Sequence, residues 1–332
     1  MTNKLYKKIK NLLKENISIV IVVILFLLSF IEFPYYINGS GGKVNLDKKI
    51  IIKDEYKKKG SFNMLYVSEY KANIYSLILG YLNPYMDVFK KEEYVVDNDT
   101  YEDMNYRQIL ELEESLDNAV ILGFKLANYD VNITSSKVFV TYVLSDALTD
   151  LKVRDQIISV GSTKVSTRSE FSNAINKYNN GDKISIKVIN DGKEYERYAY
   201  AVELEGYKYV GVYLTEDIDY TTPKDIKFKF GKRESGPSGG AMLALEIYNS
   251  LVEEDITKGY KIAGTGMIDS MGNILPIGGV KYKVRAASKC KIMFVPEENY
   301  EEAIEEKEKK KYKVDIVKVG NIYDILNYLK EL

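Results

Sequence analysis

The chain has 332 residues, with 47 Lys plus Arg against 48 Asp plus Glu and a net charge of −1, so its overall charge does not point to nucleic acid. It contains no histidine, one cysteine and no tryptophan, which excludes a Ser-His-Asp triad, a Cys-His dyad, an ordinary His/Cys zinc site and an internal disulfide. Acid–base chemistry near neutral pH then falls to Lys, Asp, Glu, Tyr, a hydroxyl or a cofactor. A hydrophobic content of 45% suits a sizeable core, and 29 tyrosines favour strands.

Lys4, Lys7, Lys8, Lys10 and Lys14 precede an apolar run over residues 17–31, with Glu15 the acidic exception. This positive-inside pattern predicts a cytoplasmic amino terminus, with everything after the run outside. As a helix the run covers about 22 Å, short of a hydrocarbon core of roughly 30 Å. Length therefore does not separate a signal-anchor from a cleaved signal peptide. No small-x-small site follows in Glu32-Phe33-Pro34-Tyr35-Tyr36, which favours an uncleaved anchor. The amino-terminal part thus reads as a basic cytoplasmic segment (1–16), a single-pass transmembrane signal-anchor (17–37) and an extracytoplasmic membrane-proximal region (38–124). Asn38-Gly39-Ser40-Gly41-Gly42 reads as a flexible joint. Strands are predicted at 50–52 and 64–67 and a helix at 74–86. A second helix is predicted at 104–128, where Ile109, Leu112, Leu116, Val120 and Phe124 recur at helical spacing. The sequence assigns no role to 43–104.

The next stretch, 125–205, is strand-rich. Residues 138–143 and 156–160 read as strands. Residues 166–178 read as a helix capped by Ser166 or Thr167, with Phe171, Ala174 and Ile175 inward. Ile184, Ile186 and Val188 alternate toward a strand, and Asn190-Asp191-Gly192 turns it back as a hairpin. From 206 the pattern changes to mixed α/β. A Gly-rich turn leads into a helix reaching about 254, then come strands at 262–268 and 274–277 and a helix at 281–288. Strand, helix, strand and helix follow at 292–295, 297–309, 314–319 and 321–332. The overall class is α+β. The charge-rich stretch 301–311 reads as a solvated helix face.

Gly236-Pro237-Ser238-Gly239-Gly240 matches G-x-S-x-G, a pattern that can set a nucleophilic serine on a strand-to-helix turn. The hydrolase that usually carries it needs a histidine, which is missing. What remains is a serine at a helix amino terminus, where backbone N–H groups favour an oxyanion, or a serine that merely caps a helix. Gly236 and Gly239 are the turn and oxyanion candidates. A serine still needs a base, and a desolvated lysine is the obvious one. Gly278-Gly279-Val280-Lys281-Tyr282-Lys283 follows an apolar segment and opens a helix. Both burial and the helix amino terminus there lower a lysine pKa. The spacing alone leaves Lys281 and Lys283 open.

Residues 236–240 (GPSGG), 245–248 (LEIY), 258–269 (KGYKIAGTGMID), 273–279 (NILPIGG) and 281–289 (KYKVRAASK) together resemble the proteolytic domain of the Lon family. The resemblance implies Ser238 as nucleophile, Lys283 as base with Lys281 as the neighbouring alternative, and Thr265 as a residue orienting the lysine. Ser235 stands where soluble members often carry an acid. The sequence has no G-x-x-x-x-G-K-[ST] motif, so an ATP-independent enzyme is expected, with no cofactor, metal or nucleic acid. Residues 125–205 resemble a PDZ domain of the bacterial protease kind, with Arg154 where a glycine often precedes the Asp. Such a domain implies strand addition of an extended peptide. The order of segments resembles membrane-anchored bacterial PDZ–Lon serine proteases, acting on secreted or membrane-associated peptides or proteins. A membrane-tethered PDZ scaffold on an inactive protease fold, and an autoprotease, are the rival readings.

Overall fold

The structure, a computed structural model, describes residues 16–94, 99–231 and 234–332. The basic cluster from Lys4 to Lys14 lies outside them. In chain order the elements begin with α1 (Ile17–Leu28), β1 (Glu32–Asn45), β2 (Ile50–Ile52), β3 (Ser61–Asn73), α2 (Ile74–Leu82), β4 (Met86–Lys90), α3 (Lys91–Tyr94) and α4 (Tyr101–Leu126). The middle contributes β5 (Asn132–Val143), β6 (Gln156–Val160), β7 (Thr163–Lys164), α5 (Arg168–Ile175), β8 (Lys183–Asn190), β9 (Lys193–Tyr200), β10 (Val202–Leu204), β11 (Tyr207–Tyr209), β12 (Val212–Thr221) and β13 (Ile226–Phe228). The remainder is α6 (Gly240–Leu251), β14 (Lys261–Gly264), β15 (Met267–Ile268), β16 (Ile274–Leu275), α7 (Val280–Ala287), β17 (Ile292–Pro296), α8 (Tyr300–Lys310), β18 (Asp315–Val319) and α9 (Ile322–Lys330). The chain forms two compact units, one running to Ser40 and including Val67–Tyr94, the other comprising Gly41–Tyr66 and the residues after Tyr94.

In the first unit α1 has 12 residues and buries none of them. It covers about 18 Å, and no described helix is long and apolar enough to cross a membrane. The span expected over 17–37 is therefore not a continuous helix here. Pro34 disfavours helical backbone at Phe33, and the aromatic and β-branched residues around it favour a strand. Tyr35 to Gly39 pair antiparallel with β4, from Tyr35 opposite Lys90 to Gly39 opposite Met86. Tyr36 and Ile37 are buried, and Tyr36 stacks on Tyr94 at 4.6 Å. The helix expected at 74–86 ends at Leu82, because Pro84 cannot continue it, and 86–90 becomes β4.

The expected joint at Asn38 to Gly42 is instead part of β1. In the second unit a Cβ on Gly41 would lie 2.4 Å from the Tyr66 ring, so this glycine serves close packing rather than looseness.

The second unit holds a parallel sheet ordered β18-β17-β14-β3. Side chains alternate across it, as the strand period requires. Phe62, Ile262, Ile292 and Phe294 point into a core with α4, α6 and α9. Leu65, Ala263, Met293 and Val295 point into a second core with α7 and α8. Every residue of α6 except Tyr248 is buried, polar Glu246, Asn249 and Ser250 among them. Residues 46–66 and α4 are thus part of this core: β3 pairs with β14, β2 with β13, and α4 packs along α6.

The middle region is an antiparallel sheet ordered β12-β5-β6-β8-β9, with β7 on β6. It takes in β12, beyond residue 205. Thr167 and Glu170 cap α5 reciprocally, and Asp191 and Gly192 turn the hairpin with φ of 49° and 73°, as a two-residue type I′ turn needs. Arg154 adopts φ 77°, the conformation a glycine takes without strain. Its guanidinium lies over Tyr106 at 5.0 Å. Beside it Asp155, fully buried, accepts from Asn190 Nδ2 (2.7 Å), Arg197 Nε (3.2 Å) and the Lys152 N–H (2.8 Å).

Candidate active site

The turn Gly236-Pro237-Ser238-Gly239 enters α6 directly. Gly236 has φ 89°, a left-handed conformation that glycine supplies without a Cβ penalty. Its N–H donates to the Gln108 carbonyl at 2.9 Å. Ser115 Oγ, on α4, donates to the Pro237 carbonyl at 3.1 Å. The Ser238 carbonyl accepts twice, from the Gly266 N–H at 2.8 Å and from Thr265 Oγ1 at 3.0 Å. The main chain at the serine is thereby fixed on both sides, while its hydroxyl makes no hydrogen bond among the described residues and borders an open cleft of about 450 Å³.

Thr265 follows β14 and is 1% exposed. Its hydroxyl also accepts from Lys283 Nζ at 3.1 Å. The structure thus brings Ser238, Thr265 and Lys283 together through one shared hydroxyl. Lys283 sits in the first turns of α7, 3% exposed, and burial lowers its pKa from 10.5 to about 7. Desolvation is the cause; the helix terminus invoked from sequence is not needed. Lys281, two positions earlier, is half-buried with Nζ 5.1 Å from the Tyr282 ring. An α-helix sends residues two apart in different directions, so the two lysines do not share a site.

The glycines divide their roles. The Gly236 N–H is already bound to Gln108, so Gly236 shapes the turn rather than donating to an oxyanion. Pro237 has no N–H. The N–H groups of Ser238 and Gly239 lie just before the first turn of α6 and carry no backbone partner among the described residues, like the unpaired donors of any helix amino terminus. Gly240 and Ala241 donate to Pro237 and Gly266. Ser235 Oγ bonds Gln108 Oε1 at 3.1 Å.

The cleft is lined by Glu111, Pro237, Ser238, Met267, Pro276, Ile277 and Gly278. Asn299 clamps its far wall, accepting from the Ile277 N–H (2.8 Å) and donating to the Ile277 carbonyl (2.9 Å). Sequence reasoning missed Gln108, Glu111, Ser115, Asn118 and Asn299. The first four lie on α4, and Asn118 Nδ2 donates to the Ile268 carbonyl at 3.2 Å. Polar residues on an amphipathic helix read as its solvated face, so no local signal distinguished them. Among the described residues no group of His, Cys, Asp and Glu is placed to hold a metal ion.

A serine on a helix-entry turn, with a buried lysine amine bonded to the same threonine hydroxyl that holds the serine's carbonyl, is an arrangement compatible with serine peptidase chemistry. Residues 220–331 match the Lon protease (S16) C-terminal proteolytic domain. The chain is 34% identical over 96 residues to a Lon protease of Aster yellows witches'-broom phytoplasma, covering 28% of this chain and 12% of that protein. It is 34% identical over 97 residues to a Lon protease of Rickettsia felis, covering 29% and 12%. An archaeal Lon protease of Halobacterium salinarum is 28% identical over 108 residues, covering 31% and 15%. The chain therefore spans a small part of these relatives' length, and the matches support a serine peptidase in its carboxy-terminal region. Among solved structures, the PDZ domain of an SdrC-like protein from Listeria monocytogenes is 20% identical and covers 23% of this chain and 85% of that one, with a TM-score of 0.21. At that score the strand order of the middle region, not the likeness, describes its fold.

Proposed function

We propose that the chain is an ATP-independent serine endopeptidase using a Ser238–Lys283 dyad. The observation that carries this reading is the hydrogen-bonded line from Lys283 Nζ through Thr265 Oγ1 to the Ser238 carbonyl, at a turn bordering a cleft. In this mechanism the neutral Lys283 amine takes the Ser238 hydroxyl proton as Oγ bonds to the peptide carbonyl carbon. The Ser238 and Gly239 N–H groups receive the oxyanion. The lysine ammonium then protonates the leaving amine as the C–N bond breaks, giving an acyl-enzyme. Water attacks the ester, Lys283 takes the water proton, and the proton returns to Ser238 Oγ. A lysine lowered to about 7 is neutral often enough at physiological pH to act without a histidine.

We further propose that the enzyme works outside the cytoplasm, held at the cell membrane by its amino-terminal segment. The lysine-rich start followed by α1, whose side chains are all unburied and uncharged, supports lipid contact. Substrates are then secreted or membrane-associated peptides or proteins, and the middle sheet is the candidate for presenting them by strand addition.

A fluorophosphonate probe tests the centre. Labelling of the wild-type chain at Ser238, lost in Ser238→Ala and Lys283→Met but kept in Lys281→Met, supports it. An unlabelled wild-type chain with a folded spectrum supports the scaffold instead. Mixing active chain with Ser238→Ala chain separates cleavage in trans from self-processing. Fractionation with external protease digestion tests the membrane and the side.

A further inference from the structure

The cleft beside Ser238 is apolar except for the serine and one carboxylate, Glu111. Glu111 comes from α4, outside the matched segment 220–331. Its position is set by its own helix. Gln108, three residues earlier, holds Gly236 through its carbonyl, and Ser115, four residues later, holds Pro237. These residues share one face of α4, so Glu111 stands at a fixed distance from the nucleophile turn.

The Glu111 carboxylate has no salt bridge or hydrogen bond among the described residues. The cation whose charge acts on it, Arg107, is committed elsewhere: to Asp99 at 2.6 Å, to the Thr141 carbonyl at 3.3 Å and against the Tyr142 ring at 5.0 Å. Burial raises the Glu111 pKa, with Arg107 opposing, as expected of a carboxylate that lacks a close partner. A half-buried carboxylate on an apolar cleft wall gains most from a cation that arrives with its own apolar stem. Lysine and arginine side chains fit that description: their methylenes lie on Met267, Pro276 and Ile277 while the charged head reaches the acid.

We propose that Glu111 is a specificity-determining residue that seats a Lys or Arg side chain of the substrate close to the scissile bond. This rests on the endopeptidase reading. Without a cleaved bond Glu111 would select a basic residue for binding only.

The test is a positional scan with internally quenched peptides. Norleucine is replaced by Lys at each of the positions flanking the cleaved bond, and kcat/KM is measured for the full chain. One position should favour Lys by roughly 10- to 100-fold, the worth of one charge-assisted hydrogen bond. In Glu111→Gln the Lys-to-norleucine ratio at that position should collapse toward one, and in Glu111→Arg a Glu peptide should overtake the Lys peptide. Cleavage with no basic preference, or a preference unchanged in Glu111→Gln, overturns the proposal and leaves the endopeptidase standing. The same peptides are also titrated against the Ser238→Ala chain by fluorescence anisotropy. If wild type cleaves nothing but Ser238→Ala binds the Lys peptide more tightly in a Glu111-dependent way, the subsite stands and the endopeptidase reading falls. Absence of both cleavage and selective binding overturns both.

Discussion

Replacing Lys283 with Met tests the buried base through stability, independently of any substrate. Lys283 is 3% exposed, and burial lowers its pKa from 10.5 to about 7. Unfolding returns the amine to water, where it regains a proton at any pH below its ordinary value. Between those two values the unfolded state binds more protons than the folded one, so stability rises with pH across this window. The penalty is fully present below the folded pKa and disappears above the unfolded one. Integrated over the shift, it is roughly 4 kcal/mol at pH 7 and roughly 2 kcal/mol at pH 9. Met has a similar length and no charge, so the variant lacks the penalty at every pH. Loss of the hydrogen bond to Thr265 offsets about 1 kcal/mol of that gain without changing its slope. Urea unfolding of both full-length chains, followed by far-UV circular dichroism at pH 7, 8 and 9, reads the difference, and groups common to both chains cancel. Lys283→Met should be the more stable chain at pH 7, with its advantage shrinking by about 1 kcal/mol per pH unit. An advantage that stays constant with pH would refute a depressed lysine and remove the base from the mechanism.

Because only the neutral amine accepts the serine proton, kcat/KM should rise with pH through a midpoint of about 7 and then level off; a rate still climbing at pH 9 means an ordinary lysine or another base. Thr265→Val removes the hydroxyl that Lys283 and the Ser238 carbonyl share, and should lower kcat by on the order of 10-fold, with recovery in Thr265→Ser. Failure of the serine variant to recover activity would show that the methyl group, not the hydroxyl, matters there. In the middle sheet Asp155→Ala leaves Arg197 without its buried partner. It should lower thermal or urea stability by about 3 to 5 kcal/mol, and a loss under 1 kcal/mol would show that water replaces the carboxylate.

Ser238, Thr265 and Lys283, the residues the Lon resemblance singles out, meet around one threonine hydroxyl, and the resemblance was legible because each lies in a contiguous block with its own glycines and apolar flanks. The α5 cap and the β8–β9 turn were legible for the same reason, since Thr167 with Glu170 and Asp191 with Gly192 are local chemistry. β1 was not. Its glycines resemble a joint until Tyr66 is seen against Gly41, and that contact is made by a residue on another strand. The pairing of β3 with β14 joins Ser61 to Lys261, a partnership that no window of local periodicity contains.

The same non-local logic decides what the catalytic unit is. Residues 220–331 include the proposed nucleophile, the proposed base and the threonine between them, but not the groups that hold the Ser238 turn from outside. Gln108 and Ser115 do that, and Asn118 ties the same helix to β15. Leu243 and Ile247 of α6 are fully buried in a core they share with Ala119, Val120 and Phe124 of α4 and with Phe62 of β3. Removing those partners would open the apolar face of the helix that Ser238 precedes, at roughly 1.5 to 3 kcal/mol per large side chain uncovered, and would leave the Pro237 carbonyl with the Gly240 N–H but without Ser115. The wall of the cleft that carries Glu111 would go with them. The upstream helix is therefore part of the proposed peptidase centre: it holds the turn that carries Ser238 and one wall of the cleft beside it.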